Sequence, residues 1–364
     1  MEAIYIDPDI RKAETLPAAF YRELGWFERT ISAVWEKAWL YAGDLGEHVQ
    51  PGTTTPLMLL PGVLDEPIVL ATDSEGELRC LSNVCTHRGK LVVEGPAAGQ
   101  RLLRCGYHGR CFRLDGRFRS MPGFEETMDF PRPVDDLKIY PLEGFFPLRF
   151  TSLNPFVPFA DLVQPMLDRI SFLPLDTLQF DPTSSRDFEV RAHWALYVDN
   201  YLEGFHIPFV HPTLNGAIAY DQYEYHRFTW GNLQTGIAAG DEPCFHCPPG
   251  HPDTGKKIYA YYFWLFPNLM FNFYPWGLSL NVVEPINPER TRVRFRSYSF
   301  AGTVFDRTVN ALEQTEFEDE AVVESVMQGI RSRAYHRGRF SVSMEANLHH
   351  FHSLLAGALN QGPI

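Results

Sequence analysis

Two short segments constrain this chain more than anything else in it: Cys85-Thr86-His87 and Cys105-Gly106-Tyr107-His108, separated by residues 88–104. A Cys-x-His pair and a Cys-x-x-His pair put two thiolates and two neutral imidazoles on two tight loops, which any fold using them must bring together. The set suits a [2Fe–2S] cluster with one iron held by sulfur and the other by nitrogen. Replacing two thiolates by imidazoles raises the potential to roughly −150 to +300 mV, against about −400 mV for an all-cysteine plant-type cluster. A structural zinc site also accepts two Cys and two His. Zinc fingers, however, pair Cys with Cys and His with His. Here each loop carries one of each, beside the turn residues Arg88-Gly89 and Gly109-Arg110. The mixed loops favour the cluster, and with it redox work.

The rest of the composition narrows the class. At 364 residues, 45% of them hydrophobic and 14% aromatic, the chain suits one large or two ordinary globular domains. A formal net charge of −13 leaves no basic stripe for phosphates, which argues against nucleic acid. Six cysteines in so long a chain do not make a disulfide framework. Residues Met1 to Arg11 alternate apolar with charged side chains and hold no signal-peptide core, so a reducing, cytoplasmic location is expected. From Tyr259 to Val283 no residue is charged, long enough for a membrane span. Pro267, Asn268, Asn272, Pro275, Gly277 and Asn281 break it, so buried β-strands joined by turns are expected instead and no membrane.

Along the chain, Phe20, Leu24, Phe27, Ile31, Val34 and Trp35 recur at helical spacing and predict a helix over 13–40. From about Trp39 to Phe150, runs such as Thr55–Leu60, Ile68–Thr72, Leu78–Leu81 and Leu102–Cys105 are split by Gly and Pro, which predicts an all-β module holding both loops. The second half mixes elements: a strand over Glu189–Trp194, a helical stretch over Tyr197–Phe205, and a strand over Thr291–Ser299. The arginines of that last strand, Arg292, Arg294 and Arg296, read as a solvated or subunit-facing row. A long helix is predicted over Asp306–Arg333, with Val309, Leu312, Val323, Val326 and Ile330 buried, and a last one over Met344–Leu359. His349, His350 and His352 fall on different faces of the last helix and read as surface or interface residues. Cys244-Phe245-His246-Cys247 with His251 imitates a metal spacing but reads as a loop, and Cys80 and Cys111 read as buried free thiols.

A second metal site is expected between His193 and His211. Glu203 and His206 are three apart and would share a helix face. His206 and His211 are five apart, with Pro208 between them to curl the chain and bring both imidazoles to one point. Two such histidines with one distant carboxylate make the facial triad of non-haem Fe(II) oxygenases. The acid-rich run Glu316-Phe317-Glu318-Asp319-Glu320 offers that carboxylate, with Asp319 the best candidate, although spacing alone does not choose it over Glu318 or Glu320. The other acids, Glu316, Glu318 and Glu320, read as a solvated face.

The pattern C-T-H-R-G then C-G-Y-H-G resembles the Rieske cluster motif. Many members of that group have Trp where this chain has Arg110. Together with Asn-Tyr-Leu-Glu-Gly-Phe-His-(x4)-His and the acidic helix, from about residue 35 to 350, the chain resembles Rieske non-haem iron oxygenase α subunits, the ring-hydroxylating dioxygenase and choline monooxygenase-like family. The resemblance implies an α+β architecture: an N-terminal helical segment (1–40) packed on the catalytic domain, an all-β Rieske [2Fe–2S] domain (41–155), and a helix-grip (START/Bet v1-like) catalytic domain (156–364). That last domain would have an antiparallel sheet and long C-terminal helices. It implies Cys85, His87, Cys105 and His108 as cluster ligands and His206, His211 and Asp319 as ligands of a mononuclear Fe(II). Glu203 would be the acid bridging a cluster histidine of one subunit to an iron histidine of the next, and Asn200 a polar residue near the iron. Glu203 stands where the family often has Asp.

The activity implied is that of a terminal oxygenase taking electrons from an NAD(P)H-dependent reductase, directly or through a ferredoxin, in a head-to-tail homotrimer. With O2 it would hydroxylate or oxidatively demethylate a small organic substrate. The run around His206 looks like the branch acting on quaternary amines, and Tyr259, Tyr261, Tyr262, Trp264, Phe271, Phe273 and Trp276 could cage a cationic headgroup. Ring cis-dihydroxylation of an aromatic substrate is the alternative, though it usually goes with a separate β subunit. An electron carrier without oxygenase activity would need no second half.

Overall fold

A computed structural model describes residues 2–44, 46, 50–303 and 309–361, the last stretch with its side chains from residue 314 onward. The chain divides into two compact units, Glu36–Pro155, and Met1–Trp35 together with Phe156–Ile364.

The predicted N-terminal helix forms in three pieces: α1 (Ala18–Arg22), α2 (Leu24–Thr30) and one π-helical turn, Ile31–Trp35. Glu23 between α1 and α2 is extended (φ −88°, ψ 125°). That break turns Leu24 out to solvent while Phe20 and Phe27 both stay buried. The wider π turn then buries three consecutive residues, Ala33, Val34 and Trp35. Trp35 packs edge-on against Trp194 at 4.8 Å and Phe20 against His193 at 5.0 Å.

The unit Glu36–Pro155 is all-β. Its strands are β1 (Leu40–Asp44), β2 (Thr54–Leu59), β3 (Glu66–Thr72), β4 (Leu78–Ser82), β5 (Leu103–Arg104), β6 (Cys111–Phe112), β7 (Phe118–Ser120), β8 (Ile139–Tyr140), β9 (Leu142–Phe145) and β10 (Leu148–Thr151). They form antiparallel sheets in the orders β2-β3-β4-β8, β5-β6-β7 and β1-β10-β9. Val69, Leu81, Leu103, Phe112, Leu114 and Leu137 build one core with Cys85 and Cys105, so the loops that follow β4 and β5 are anchored by their cysteines.

The larger unit is built on a seven-stranded antiparallel sheet. After α3 (Phe159–Arg169) come β11 (Gln179–Val190), α4 (Trp194–Tyr201), α5 (Ile207–Val210), α6 (Pro212–Ala217), β12 (Glu224–Phe228), β13 (Gly231–Ile237), β14 (Ile258–Leu265), β15 (Leu269–Tyr274), β16 (Gly277–Asn287) and β17 (Arg290–Ser299). Two helices, α7 (Val309–Ile330) and α8 (Ala346–Asn360), follow. The strand order is β11-β17-β16-β15-β14-β13-β12. The uncharged stretch from Tyr259 to Val283 is thus the middle of the sheet, turning at Pro267-Asn268 and Pro275-Trp276. No helix among the described residues is long and apolar enough to cross a membrane.

The all-β unit, the antiparallel sheet and the C-terminal helices form the α+β arrangement expected. On α7, Val323, Met327 and Ile330 are buried but Val326 is exposed, and the expected positions 306–308 and the side chains of Val309 and Leu312 lie outside the described residues. On β17, Arg294 and Arg296 pair with Glu284 (3.3 Å) and Asp187 (2.7 Å). His349 and His352 are buried rather than at the surface: His349 Nε2 meets the Asp7 carbonyl, and His352 accepts from Leu16 N and reaches Asp199 at 2.8 Å.

Candidate metal centres and the adjoining cavity

The two Cys/His loops repeat one backbone pattern. Gly89 N donates to Cys85 O (3.0 Å) and Cys85 N to Lys90 O (2.8 Å); Gly109 N donates to Cys105 O (3.1 Å) and Cys105 N to Arg110 O (2.9 Å). Closing each loop requires a left-handed residue, supplied by Gly89 (φ 72°) and Gly109 (φ 74°). The thiols face the core, Cys85 3% and Cys105 2% exposed, while His87 is half-buried and His108 exposed. The imidazole rings meet edge to face with centroids 4.8 Å apart. Burial above all raises the Cys85 thiol, and the adjacent Cys105 thiol adds to it. Burial also lowers His87, followed by the charges of His108, Arg88 and Arg110, which keeps its ring neutral and able to ligate. Two adjoining thiols and two adjoining imidazoles form a donor set that fits a mixed-ligand [2Fe–2S] cluster.

The second centre is assembled where α4 ends. α4 stops at Tyr201, so Glu203 lies in the connector and does not share a helix face with His206. It reaches His206 instead by folding back: its carboxylate accepts from the His206 amide (3.1 Å) and faces ring Nδ1 at 2.7 Å. Pro208 does not interrupt a helix either. It sits in the first turn of α5, where proline's missing N–H costs nothing, and α5 is a single turn capped by His206 and His211. That turn closes the five-residue gap.

From α7, Asp319 Oδ1 approaches His206 Nε2 at 3.4 Å and His211 Nε2 at 2.9 Å. The ligating atoms of His206, His211 and Asp319 lie within 4.8 Å of one another. With Nδ1 of His206 held by Glu203 and Nδ1 of His211 by Glu318 (2.8 Å), both rings turn Nε2 toward Asp319. Burial opposes charge on His206, but Asp319 and Glu203 overcome it and raise the ring to about 9. Asp319 is correspondingly held low by both rings against its own burial. Two imidazole nitrogens and one carboxylate oxygen in this arrangement fit a facial-triad Fe(II) site.

The three acids read as a solvated face are not one. Glu316 is buried, with both oxygens 2.8 Å from the Tyr197 hydroxyl; burial first, then repulsion from Asp319, pushes its carboxyl well above the usual range. Glu318 orients His211. Glu320 is half-buried and raised to about 7, by burial and then by Glu324 and Asp319. α7 packs on α4, so its acidic side is an inner side.

A cavity of about 180 Å³ opens beside the triad. Its floor is a single register row across five strands, Gln234, Tyr262, Asn272, Ser279 and Ser297, each opposite the next. Asn200 lines it, as do Glu203, Glu316 and the tyrosines Tyr201, Tyr223 and Tyr274. Of the aromatic residues considered for a cage, only Tyr262 lines the cavity. Tyr261, Trp264, Phe271 and Phe273 are core, and Tyr259 and Trp276 pack around Tyr274. Tyr201, Tyr223 and Tyr274 escaped the sequence reading because they come from separate elements.

Comparison with known proteins agrees with this geometry. Residues 177–361 match the family model of the ring hydroxylating alpha subunit (catalytic domain), and residues 47–141 match the Rieske [2Fe-2S] domain. The chain is 28% identical over 363 residues to the carnitine monooxygenase oxygenase subunit of Escherichia coli (strain K12), covering 95% of this chain and 94% of that protein. It is 24% identical over 371 residues to the chloroplastic choline monooxygenase of Beta vulgaris, covering 96% and 78%. Its fold matches the crystal structure of the quaternary ammonium Rieske monooxygenase CntA in complex with L-carnitine, with a TM-score of 0.80, 23% identity and coverage of 98% and 99%.

Proposed function

This chain belongs to the ring-hydroxylating α-subunit family with a Rieske [2Fe–2S] domain, and on that premise we propose which residues serve its oxygenase activity and what substrate they take. Cys85, His87, Cys105 and His108 hold the cluster; His206, His211 and Asp319 hold the mononuclear iron. When bound, the two centres supply stored electrons and oxygen chemistry. Glu203 fixes the tautomer of His206, and lone pairs remain on its two oxygens for a cluster histidine of a neighbouring subunit. A head-to-tail oligomer, a homotrimer, supplies that neighbour. The reducing equivalents come from an NAD(P)H-dependent reductase, with or without a ferredoxin. None of the six cysteines, all among the described residues, is paired in a disulfide, which suits a reducing cytoplasm.

The substrate is a small quaternary amine, oxidised by monooxygenation. The observation carrying this reading is the cavity: about 180 Å³, below the roughly 300–1,000 Å³ of ordinary ligand sites, walled by Tyr201, Tyr223, Tyr262 and Tyr274 and by acidic groups. Burial keeps Tyr201, Tyr223 and Tyr262 as neutral phenols, whose ring faces attract a cation. Asn200 and the Oε1 of Gln234 are left to orient the other end, Asn272 being held by Tyr201 and the Ser279 carbonyl. The relatives acting on carnitine and choline agree with a trimethylammonium headgroup.

The test is oxygen uptake by the holoenzyme with a reductase, comparing choline- and carnitine-type amines with isosteres whose ammonium nitrogen is replaced by carbon. Uptake with stoichiometric product from the cations alone supports the proposal. Uptake with the neutral isosteres or with neutral aromatics alone would overturn it, the latter in favour of ring dihydroxylation.

A further inference from the structure

Arg110 stands where many Rieske domains carry Trp, and the structure gives it an unusual setting. It is 1% exposed, yet charged. Its guanidinium lies among three phenyl rings, 4.9 Å from the centroid of Phe118, 5.4 Å from Phe130 and 5.6 Å from Phe112. Its Nε finds no acceptor among the described residues. Among the described residues its one charged partner is Asp135, also buried: Nη2 donates to Asp135 Oδ1 at 2.9 Å and to the Asp135 carbonyl at 3.0 Å. The same carbonyl accepts from Thr86 Oγ1 at 2.8 Å, and Thr86 sits between Cys85 and His87. The Arg132 amide donates to the other Asp135 oxygen at 2.8 Å. Asp135 is therefore a node to which each ligand loop is tied, the first through Thr86 and the second through Arg110.

A buried ion pair is costly, and an apolar or aromatic residue would fill the same space without desolvating a charge. What the pair adds is a rigid tie and a fixed cation two residues from His108. We infer that Arg110 is a positioning residue for the [2Fe–2S] cluster: with Asp135 it locks the two ligand loops to each other and sets the cluster's midpoint potential through paired, opposite buried charges. This rests on the reading of Cys85, His87, Cys105 and His108 as ligands. A buried cation favours the reduced cluster, which carries one more electron, and a buried anion disfavours it.

The charges therefore predict shifts of opposite sign, which a merely structural role would not produce. The experiment is a redox titration of the full-length holoprotein, followed by visible absorption and electron paramagnetic resonance. Arg110→Met leaves Asp135 uncompensated and should lower the midpoint, shifting the equilibrium with a one-electron mediator about tenfold, which is about 59 mV. Asp135→Asn keeps the backbone carbonyl that Thr86 and Arg110 share, removes only the charge, and should raise the midpoint by a similar factor. Arg110→Lys keeps the charge and should stay within about threefold of the parent protein. Should Arg110→Met fail to assemble a cluster, the Lys and Asn variants decide alone: an unchanged midpoint in the first and a raised one in the second support the inference. Shifts of the same sign, or unaltered midpoints in variants with intact clusters, overturn it. A parent protein that binds no cluster would instead overturn the ligand assignment.

Discussion

Metal-free protein should bind a divalent metal about fiftyfold more tightly at pH 9 than at pH 7. Without metal the His206 ring keeps its second proton up to about pH 9, because Glu203 at 2.7 Å and Asp319 at 3.4 Å outweigh its burial. The proton facing Asp319 occupies the Nε2 that a metal needs. At its pKa half of the rings are competent and well below it the fraction falls tenfold per pH unit, so the two units amount to about 2.3 kcal/mol of binding free energy. His211 is raised as well and steepens the dependence in the same sense.

The folded pKa of His206 lies above its unfolded value. Its contribution to the stability of the metal-free protein is therefore fully present below about pH 6.5 and lost as the pH rises through about 9, on the order of 3 kcal/mol. Isothermal titration calorimetry with cobalt(II) at pH 7, 8 and 9, in two buffers of different ionisation heat, measures both affinity and protons released. His206→Asn should flatten the dependence. Equal affinities across the three pH values with no proton release would refute the coupling.

Three further outcomes follow from the same geometry. Glu318→Gln removes the charge behind His211 Nδ1 and should weaken mononuclear metal binding by roughly 10–100-fold while leaving the cluster absorption unchanged; unaltered metal content would count against its orienting role. Glu316 has a raised carboxyl pKa, so its ionisation costs the folded state increasingly as the pH climbs above the ordinary carboxylate range; Glu316→Gln should raise the melting temperature more at pH 8 than at pH 5, and a gain confined to pH 5 would contradict the assignment. Trp264 is fully buried between Phe266 and Phe351, and Trp264→Ala should cost about 3–5 kcal/mol in chemical denaturation, against less than about 1 if the sheet relaxes around the gap.

The two metal centres differ in how much of them could be read from sequence. The Cys/His loops are nearly local objects, each closed by hydrogen bonds within six residues and by one left-handed glycine, so spacing alone exposes them. The pair His206 and His211 is equally local, since α5 is one turn. The acids are not. Whether Glu316, Glu318 or Asp319 faces inward depends on the rotation of α7 against α4, fixed by contacts such as that of Glu316 with Tyr197 more than a hundred residues away. The cavity floor is less legible still, because Gln234, Tyr262, Asn272, Ser279 and Ser297 are neighbours only through strand register. Helical spacing over 13–40 was a true signal of burial but hid the break at Glu23, where one extended residue changes the phase of everything after it.

The order of the seven strands also has a bearing on how the polypeptide survives its own synthesis. β14 and β15 contain no charge and are dense in aromatic side chains, the kind of segment that seeds intermolecular cross-β stacking when left uncovered. They occupy the interior of the sheet, while the two margins, β11 and β12, carry Asp181, Arg186, Asp187, Glu189, Glu224 and Arg227. Charged margins discourage sheet-to-sheet growth once folding is complete, but they offer no protection to a nascent chain whose middle strands emerge before β16 and β17. Precipitation should therefore be a kinetic hazard of refolding and rapid expression, relieved by lower temperature or chaperones, that lessens once the charged margins of this sheet are in place.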